Sequence, residues 1–275
     1  MEPSPIFIVG VPRSGTTLLR MILDSHPTVM CGPEAPWIAG RGWNHPPNFR
    51  QLAEFMAYDE WGAVKGFSEL EEDDVYRAMG MAIHELLQTA TRREGKQRWA
   101  DKTPENIVAV PTIRRMFPSA RFVHVLRDGR DVALSTQRGE WSKIVYEHRK
   151  VRNTYANALR RWTRWVDTFR KHVRVLDVAW TEVRYEQLVQ QPEATIRNLL
   201  DFLDLEWANA VMQPYAADHD IIDPEGEGVQ SFFERRTIDT SAVFRWKEEL
   251  SWWRRMQTKR IAESLLEDLG YDPTP

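Results

Sequence analysis

Hydrophobic positions along the chain follow two alternating periods. Ile6 to Gly10 is a continuous β-branched and aromatic run ending in glycine, and Arg121 to Leu126 is the clearest later example; both read as buried strands. Thr28 to Cys31, Arg98 to Asp101 and Asp177 to Arg184 are further strand candidates. Between them apolar residues recur every three or four positions, which gathers them on one helix face. Leu18, Leu19, Ile22 and Leu23 form one such face, and Asp73 to Arg92 carries another near positions 75, 79, 83, 86 and 87. Further helices are expected around Val132 and Leu134, over Ile196 to Leu203, and near 252–268. The longest predicted helix spans 150–173, where Val151, Tyr155, Leu159, Trp162, Val166, Phe169 and Val173 keep one face apolar. Its Lys150, Arg152, Arg160, Arg161, Arg164, Arg170 and Lys171 read as a solvated face. Residues 36–66 show little periodicity and are expected to be irregular, and the acidic stretch Asp218 to Gly228 reads as a mobile loop. Strands alternating with helices predict an α/β fold, a parallel sheet covered on both faces. No repeat, linker or composition shift divides residues 1–275, so one domain is expected.

The first strand leads into the most informative stretch. Pro12-Arg13-Ser14-Gly15-Thr16-Thr17-Leu18 is a turn followed by an apolar-periodic helix beginning near Ser14. A loop wrapping toward a helix N-terminus presents free backbone amides and the positive end of the helix dipole, which an anion satisfies best. Gly10 and Gly15 let a phosphate approach the backbone closely. The spacing G-x-x-x-x-G-T-T is one residue away from the phosphate loop of nucleotidases. Thr16 stands where those have lysine, and Arg13 is the cation instead.

Composition narrows the possible partners. Of 275 residues, 42% are apolar and 28% charged, an ordinary globular balance. A net charge of −3 argues against general nucleic-acid or membrane-surface affinity, so any anion site is a local cluster. One cysteine, Cys31, excludes an internal disulfide framework and a cysteine-rich metal site. No signal-peptide pattern or 18-residue apolar run is present, and the chain is expected to be soluble and cytoplasmic.

In open parallel sheets, ligands bind outside the carboxyl ends of the strands. Four predicted strand ends carry Arg13, Glu34, Lys102 and Arg127, three cations and a carboxylate on one rim. Two of the motifs there form a specific pair. Pro12 to Leu18 resembles the 5′-phosphosulfate loop of sulfotransferases that use 3′-phosphoadenosine 5′-phosphosulfate (PAPS), and Arg127-Asp128-Gly129-Arg130-Asp131-Val132-Ala133-Leu134-Ser135 resembles their 3′-phosphate motif. Asp101-Lys102-Thr103-Pro104, Tyr185-Glu186-Gln187-Leu188 and Gly270-Tyr271-Asp272-Pro273 are similar to further family segments. The pattern is nearest the branch of tyrosylprotein sulfotransferases and their bacterial relatives.

The resemblance implies a P-loop kinase-like fold and sulfuryl transfer without a metal. Arg13, Ser14, Gly15, Thr16 and Thr17 would hold the 5′-phosphosulfate, and Lys102 would neutralise the leaving oxygen. Arg127 and Ser135 would bind the 3′-phosphate of PAPS and of its product PAP, Tyr185 would lie against the adenosine or serve only as a strand-end core residue, and Arg245 would close over the nucleotide. Glu34 stands where the tyrosylprotein branch has its general base; His45 and His84 remain open as alternatives, and His124 reads as a core histidine. The branch follows its glutamate with Thr-Arg, whereas this chain has Ala35-Pro36-Trp37, which favours a hydrophobic or aromatic small acceptor over an acidic peptide. A P-loop kinase and a non-catalytic nucleotide-binding module are the competing readings, and a homodimer is left open.

Overall fold

The computed structural model describes residues 4–39, 48–57, 70–139, 143–146, 149–216, 219, 238 and 240–273. Seven strands follow in chain order: β1 (Ile6–Gly10), β2 (Val29–Met30), β3 (Arg98–Lys102), β4 (Arg121–Leu126), β5 (Lys143–Tyr146), β6 (Arg149–Arg152) and β7 (Ala179–Arg184). Five of them make a parallel sheet in the order β2-β3-β1-β4-β7, and β5 and β6 pair as a separate antiparallel hairpin. β1 lies in the middle, with Ile8 opposite Lys102 on one side and Val123 on the other. Every residue of β1 is buried, which is why the run tolerates no polar side chain.

The helices are α1 (Thr16–Asp24), α2 (Phe49–Ala57), α3 (Glu72–Arg93), α4 (Val110–Met116), α5 (Gly129–Arg138), α6 (Tyr155–Val175), α7 (Tyr185–Gln190), α8 (Pro192–Leu203), α9 (Trp246–Glu249) and α10 (Trp252–Asp268). Strand alternation divides the core in two. Ile6, Ile8, Val123 and Val125 pack with Leu19 and Ile22 of α1 and Leu199 of α8. Phe7, Val9 and Phe122 face the other way, toward Leu134 of α5, Trp162 and Phe169 of α6 and Leu266 of α10. The expected parallel sheet with helices on both faces is therefore present. β1 feeds α1 on the first face and β4 feeds α5 on the second, so a crevice opens where the two adjacent strands part.

Several boundaries differ from the sequence pattern for identifiable reasons. The helix expected over 150–173 starts at Tyr155, because residues 149–152 pair with 143–146 and place Val151 opposite Ile144. Thr154 caps the helix by accepting from the Asn157 amide at 3.2 Å. Arg161, grouped with the solvated face, is only 5% exposed. Conversely Leu86, assigned to the apolar face of α3, is 58% exposed. Residues 36–66 are not wholly irregular, since Phe49–Ala57 is helical. Within Asp218 to Gly228 only His219 lies inside the described residues.

Gly80 offers a test of the packing. A Cβ there would stand 2.3 Å from the Met116 carbonyl oxygen, so α3 crosses the end of α4 at backbone contact. In an open helix, glycine to alanine stabilises by about 0.5–1 kcal/mol. Gly80→Ala should instead destabilise by about 1–3 kcal/mol, read from the urea midpoint, because the backbone must shift. A gain in stability would show that the two helices are further apart.

Candidate active site

The turn after β1 closes with the Ser14 amide on the Val11 carbonyl at 3.0 Å. Arg13 takes a positive φ of 79° and Gly15 one of 99° as the residue before α1. Both glycines flagged by the sequence are required by close neighbours. A Cβ on Gly10 would meet the Val125 carbonyl oxygen at 2.8 Å, and one on Gly15 would meet the Tyr185 ring at 2.4 Å. The helix begins at Thr16, after the turn, with no side-chain cap and no acid in its first turn, leaving its dipole uncompensated. Ser14 Oγ is buried and has no hydrogen-bond partner among the described residues. The loop thus has the composition of an anion cradle: backbone amides, a hydroxyl and an exposed arginine.

The second motif is tied directly to this loop. Arg127, 4% exposed, donates from Nη1 to the Arg13 carbonyl at 3.0 Å and from Nη2 to the Ala242 carbonyl at 2.6 Å. Its guanidinium lies 4.4 Å from the centre of the Tyr185 ring, and its Nε is buried with no hydrogen-bond partner among the described residues. Arg13 Nε in turn donates to Ser135 Oγ at 3.1 Å. Arg13, Arg127, Ser135 and Tyr185, far apart in the chain, therefore meet across the crevice between β1 and β4. Arg245 joins the same positive field: burial first, then Arg138 and Arg127, hold its pKa below the ordinary value.

A frame of buried polar groups supports this cluster. Asp128 begins α5, accepts from the Arg130 amide at 2.9 Å and forms a fork with the Arg130 guanidinium at 2.9 and 2.8 Å. That guanidinium rests 3.4 Å from the centre of the Trp246 ring. The Asp128 amide donates to Glu186 at 2.9 Å, and the Tyr271 hydroxyl donates to the other oxygen of Glu186 at 3.2 Å. Burial raises the Glu186 pKa. Asp131 accepts from the Trp246 amide at 2.9 Å, and burial pushes its carboxyl up to about 6. Trp162 donates its indole N–H to the Arg127 carbonyl at 3.0 Å. Sequence reasoning noticed Tyr185-Glu186 and Gly270-Tyr271 but not that they meet at Asp128; the only cue was their polar character beside apolar runs.

The carboxylate side of the rim is built from β3. Lys102, the last residue of that strand, donates to Glu34 Oε1 at 2.5 Å. The lysine side chain is 6% exposed and the glutamate 30%. Thr103 couples their two loops: its hydroxyl accepts from the Ala35 amide at 3.0 Å and donates to Asp101 at 2.8 Å. Asn106 donates to the second Asp101 oxygen at 2.6 Å, and burial pushes Asp101 up to about 7. His84 is drawn elsewhere, since its Nδ1 accepts from Trp99 near the amino end of β3 at 3.1 Å. His124 is a core residue, 3.3 Å from Glu182 and stacked on Phe169, with burial lowering its pKa. His45 lies outside the described residues.

Thr103→Val keeps the shape at this junction, removes the hydroxyl and leaves the Ala35 amide without its acceptor. Unfolding free energy should fall by about 1–3 kcal/mol. Urea titration of the two proteins measures it; an unchanged midpoint would mean that Thr103 does not hold the Glu34 loop.

With the geometry described, comparison with known proteins is direct. The sulfotransferase family matches residues 5–209. Protein-tyrosine sulfotransferase 1 of Danio rerio is 31% identical over 284 aligned residues, covering 98% of this chain and 72% of that protein. The sulfotransferase domain of the Synechococcus PCC 7002 olefin synthase has a similar fold, with a TM-score of 0.67 at 22% identity, covering 98% of this chain and 96% of that one. Mouse sulfotransferase SULT7A1, complexed with PAP, also shares the fold, with a TM-score of 0.55 at 13% identity over 97% of this chain and 86% of its own. The family match covers well over half of the chain, and the chain belongs to the sulfotransferase family.

Proposed function

We propose that this sulfotransferase moves the sulfuryl group of PAPS to an acceptor hydroxyl by in-line transfer, with Glu34 as general base. The observation carrying this reading is the joining of two phosphate motifs through Arg127 to the Arg13 carbonyl and Arg13 to Ser135. A nucleotide with phosphates at both ends of its ribose uses both motifs at once. The residues fit such a donor on their own evidence. Ser14 Oγ and Arg127 Nε are buried donors without partners among the described residues, α1 begins uncapped, and Gly15 leaves only enough room for backbone beside Tyr185. The PAP held by the mouse relative supports the same assignment.

In this reading the loop amides, Thr16, Thr17 and Arg13 hold the 5′-phosphosulfate, while Arg127, Ser135 and Arg245 take the 3′-phosphate and Tyr185 borders the adenosine. The acceptor oxygen forms a bond to sulfur as the bond from sulfur to the phosphate oxygen breaks. Its proton passes to Glu34, and Lys102 offsets the charge growing on the departing oxygen. A sulfuryl group carries one negative charge fewer than a phosphoryl group, so arginine, lysine and amides suffice where nucleotidases recruit magnesium. The tyrosine-modifying relatives support a phenolic acceptor. Ala35-Pro36-Trp37 lacks the arginine expected for acidic peptides, so small phenols and alcohols belong in the same screen.

Two substitutions test the assignment. Arg127→Ala should weaken PAP binding roughly ten- to a hundredfold, as loss of a charged hydrogen bond costs about 1.5–3 kcal/mol. Calorimetry with a nucleotide lacking the 3′-phosphate should show little change; equal weakening of both would make Arg127 a purely structural tie.

Glu34→Gln preserves the shape beside Lys102 and removes the basicity. Turnover of labelled PAPS with a good acceptor should fall about a hundred- to ten-thousandfold while PAP affinity persists. Near-normal turnover would move the base elsewhere, to His45 first.

A further inference from the structure

We propose that the first turn of α10, with the basic face it shares with α6, docks on an anionic lipid surface. Trp252 and Trp253 are 63% and 72% exposed, and Met256, one turn on, is 37% exposed. The two indoles sit edge to face with centroids 4.6 Å apart and form one apolar projection. Side chains this large normally enter a core or an interface, and tryptophan is the residue favoured where membrane meets water.

Charge selects the occupant. The whole chain carries −3 and has no general attraction to acidic surfaces, the ground on which its composition argues against membrane affinity. Around the tryptophans the balance reverses. Lys247, Arg254, Arg255, Lys259 and Arg260 stand against Glu248 and Glu249, and Glu249 is already paired with Arg138 at 2.6 Å. Helix α6 adds Arg160 and Arg164, both exposed. With Lys259 and Arg260 these two line a groove of about 530 Å³ between the helices. The groove also holds Asp167, occupied by Lys171 at 2.7 Å, Glu263, 4.0 Å from Lys259, and Asp268.

A convex aromatic projection ringed by cations suits a soft anionic layer, into which the rings sink while arginine and lysine meet lipid phosphates. A folded partner would need a matching pocket for both indoles. No helix among the described residues is long and apolar enough to cross a membrane, so the attachment is peripheral. It is also reversible and sensitive to salt, because it rests on a few cations and two rings. The face adjoins the active-site rim: Trp246, shortly before α10, is tied to Asp131, and Thr258 meets the Tyr155 hydroxyl at 2.7 Å. The inference stands independently of the sulfuryl donor.

Co-sedimentation of the full chain with phosphatidylcholine vesicles, with and without phosphatidylserine, tests the proposal. The wild type should bind only the anionic vesicles, and high salt should weaken that binding. Trp252→Ser with Trp253→Ser, and separately Lys259→Glu with Arg260→Glu, should each reduce vesicle affinity by about tenfold or more while the melting temperature holds. Absence of wild-type binding, or binding that both variants leave unchanged, overturns it. So does a dimer seen by light scattering that the tryptophan substitutions dissolve when the wild type ignores vesicles; the face then receives a second copy.

Discussion

One buried guanidinium holds the β1–β4 side of the rim together. Arg127 leaves the end of β4 and bonds two carbonyls from distant segments, Arg13 in the first loop and Ala242 near the carboxyl terminus. A charged group buried this deeply is costly unless its donors are met. Two Nη donors are met and the ring of Tyr185 covers one face, while Nε is left over. The arginine is therefore both a tie and an incomplete site. Its unmet donor is the kind of residual capacity that a phosphate oxygen satisfies, which lets ligand binding and local order reinforce each other.

The tie works because its surroundings are rigid. Asp128 and Arg130 form a buried pair whose charge would be costly if either partner were lost; the Trp246 ring covers the guanidinium, and Glu186, bonded by Tyr271, accepts from the Asp128 amide. The network draws on α5, α7, α9 and the segment after α10, so the crevice is fixed from three parts of the sequence. Such a network adds little net stability over an apolar core of equal volume. Its physical effect is to admit one arrangement of the rim.

Local chemistry was legible where the chain acts through its own neighbours. The run Ile6 to Gly10 and the turn after it gave away β1 and the start of α1, because a fully buried strand and a helix N-terminus each leave a short, strong pattern. Glu34 and Lys102 were expected only to share the rim; their pairing depends on β2 lying beside β3, with Glu34 in the loop after Met30 and Lys102 at the end of β3. What stayed hidden depended on pairing between distant segments. The β5–β6 hairpin has no turn signature in its sequence and overrode the helical spacing at Val151. Arg161 fell on the polar side of a helical pattern yet is buried against Thr136, 3.4 Å away. Asp131 had no cue that its partner would be the Trp246 amide, since backbone groups carry no residue code.

The two halves of the rim are held by different kinds of contact, and that difference bears on how acceptors vary. The residues around Arg127 are locked by bonds between segments far apart in sequence, such as Arg127 to Ala242, 115 residues apart, and Tyr271 to Glu186, 85 apart. On the acceptor side, Glu34 is anchored to Lys102 and its neighbour Ala35 to Thr103, both at the end of β3. Beyond Ala35 the loop continues through Trp37, whose carbonyl accepts from the Phe49 amide at the start of α2. Residues 35 and 36 are therefore the least constrained part of this loop, provided that the Ala35 amide still reaches Thr103, whereas Ile38 is buried in the core and Trp37 and Ala39 pack against it. A backbone amide is supplied by any residue but proline, so the anchor places almost no demand on side chains. In Ala35-Pro36-Trp37 the proline stands one place after the anchored amide, where this constraint allows it.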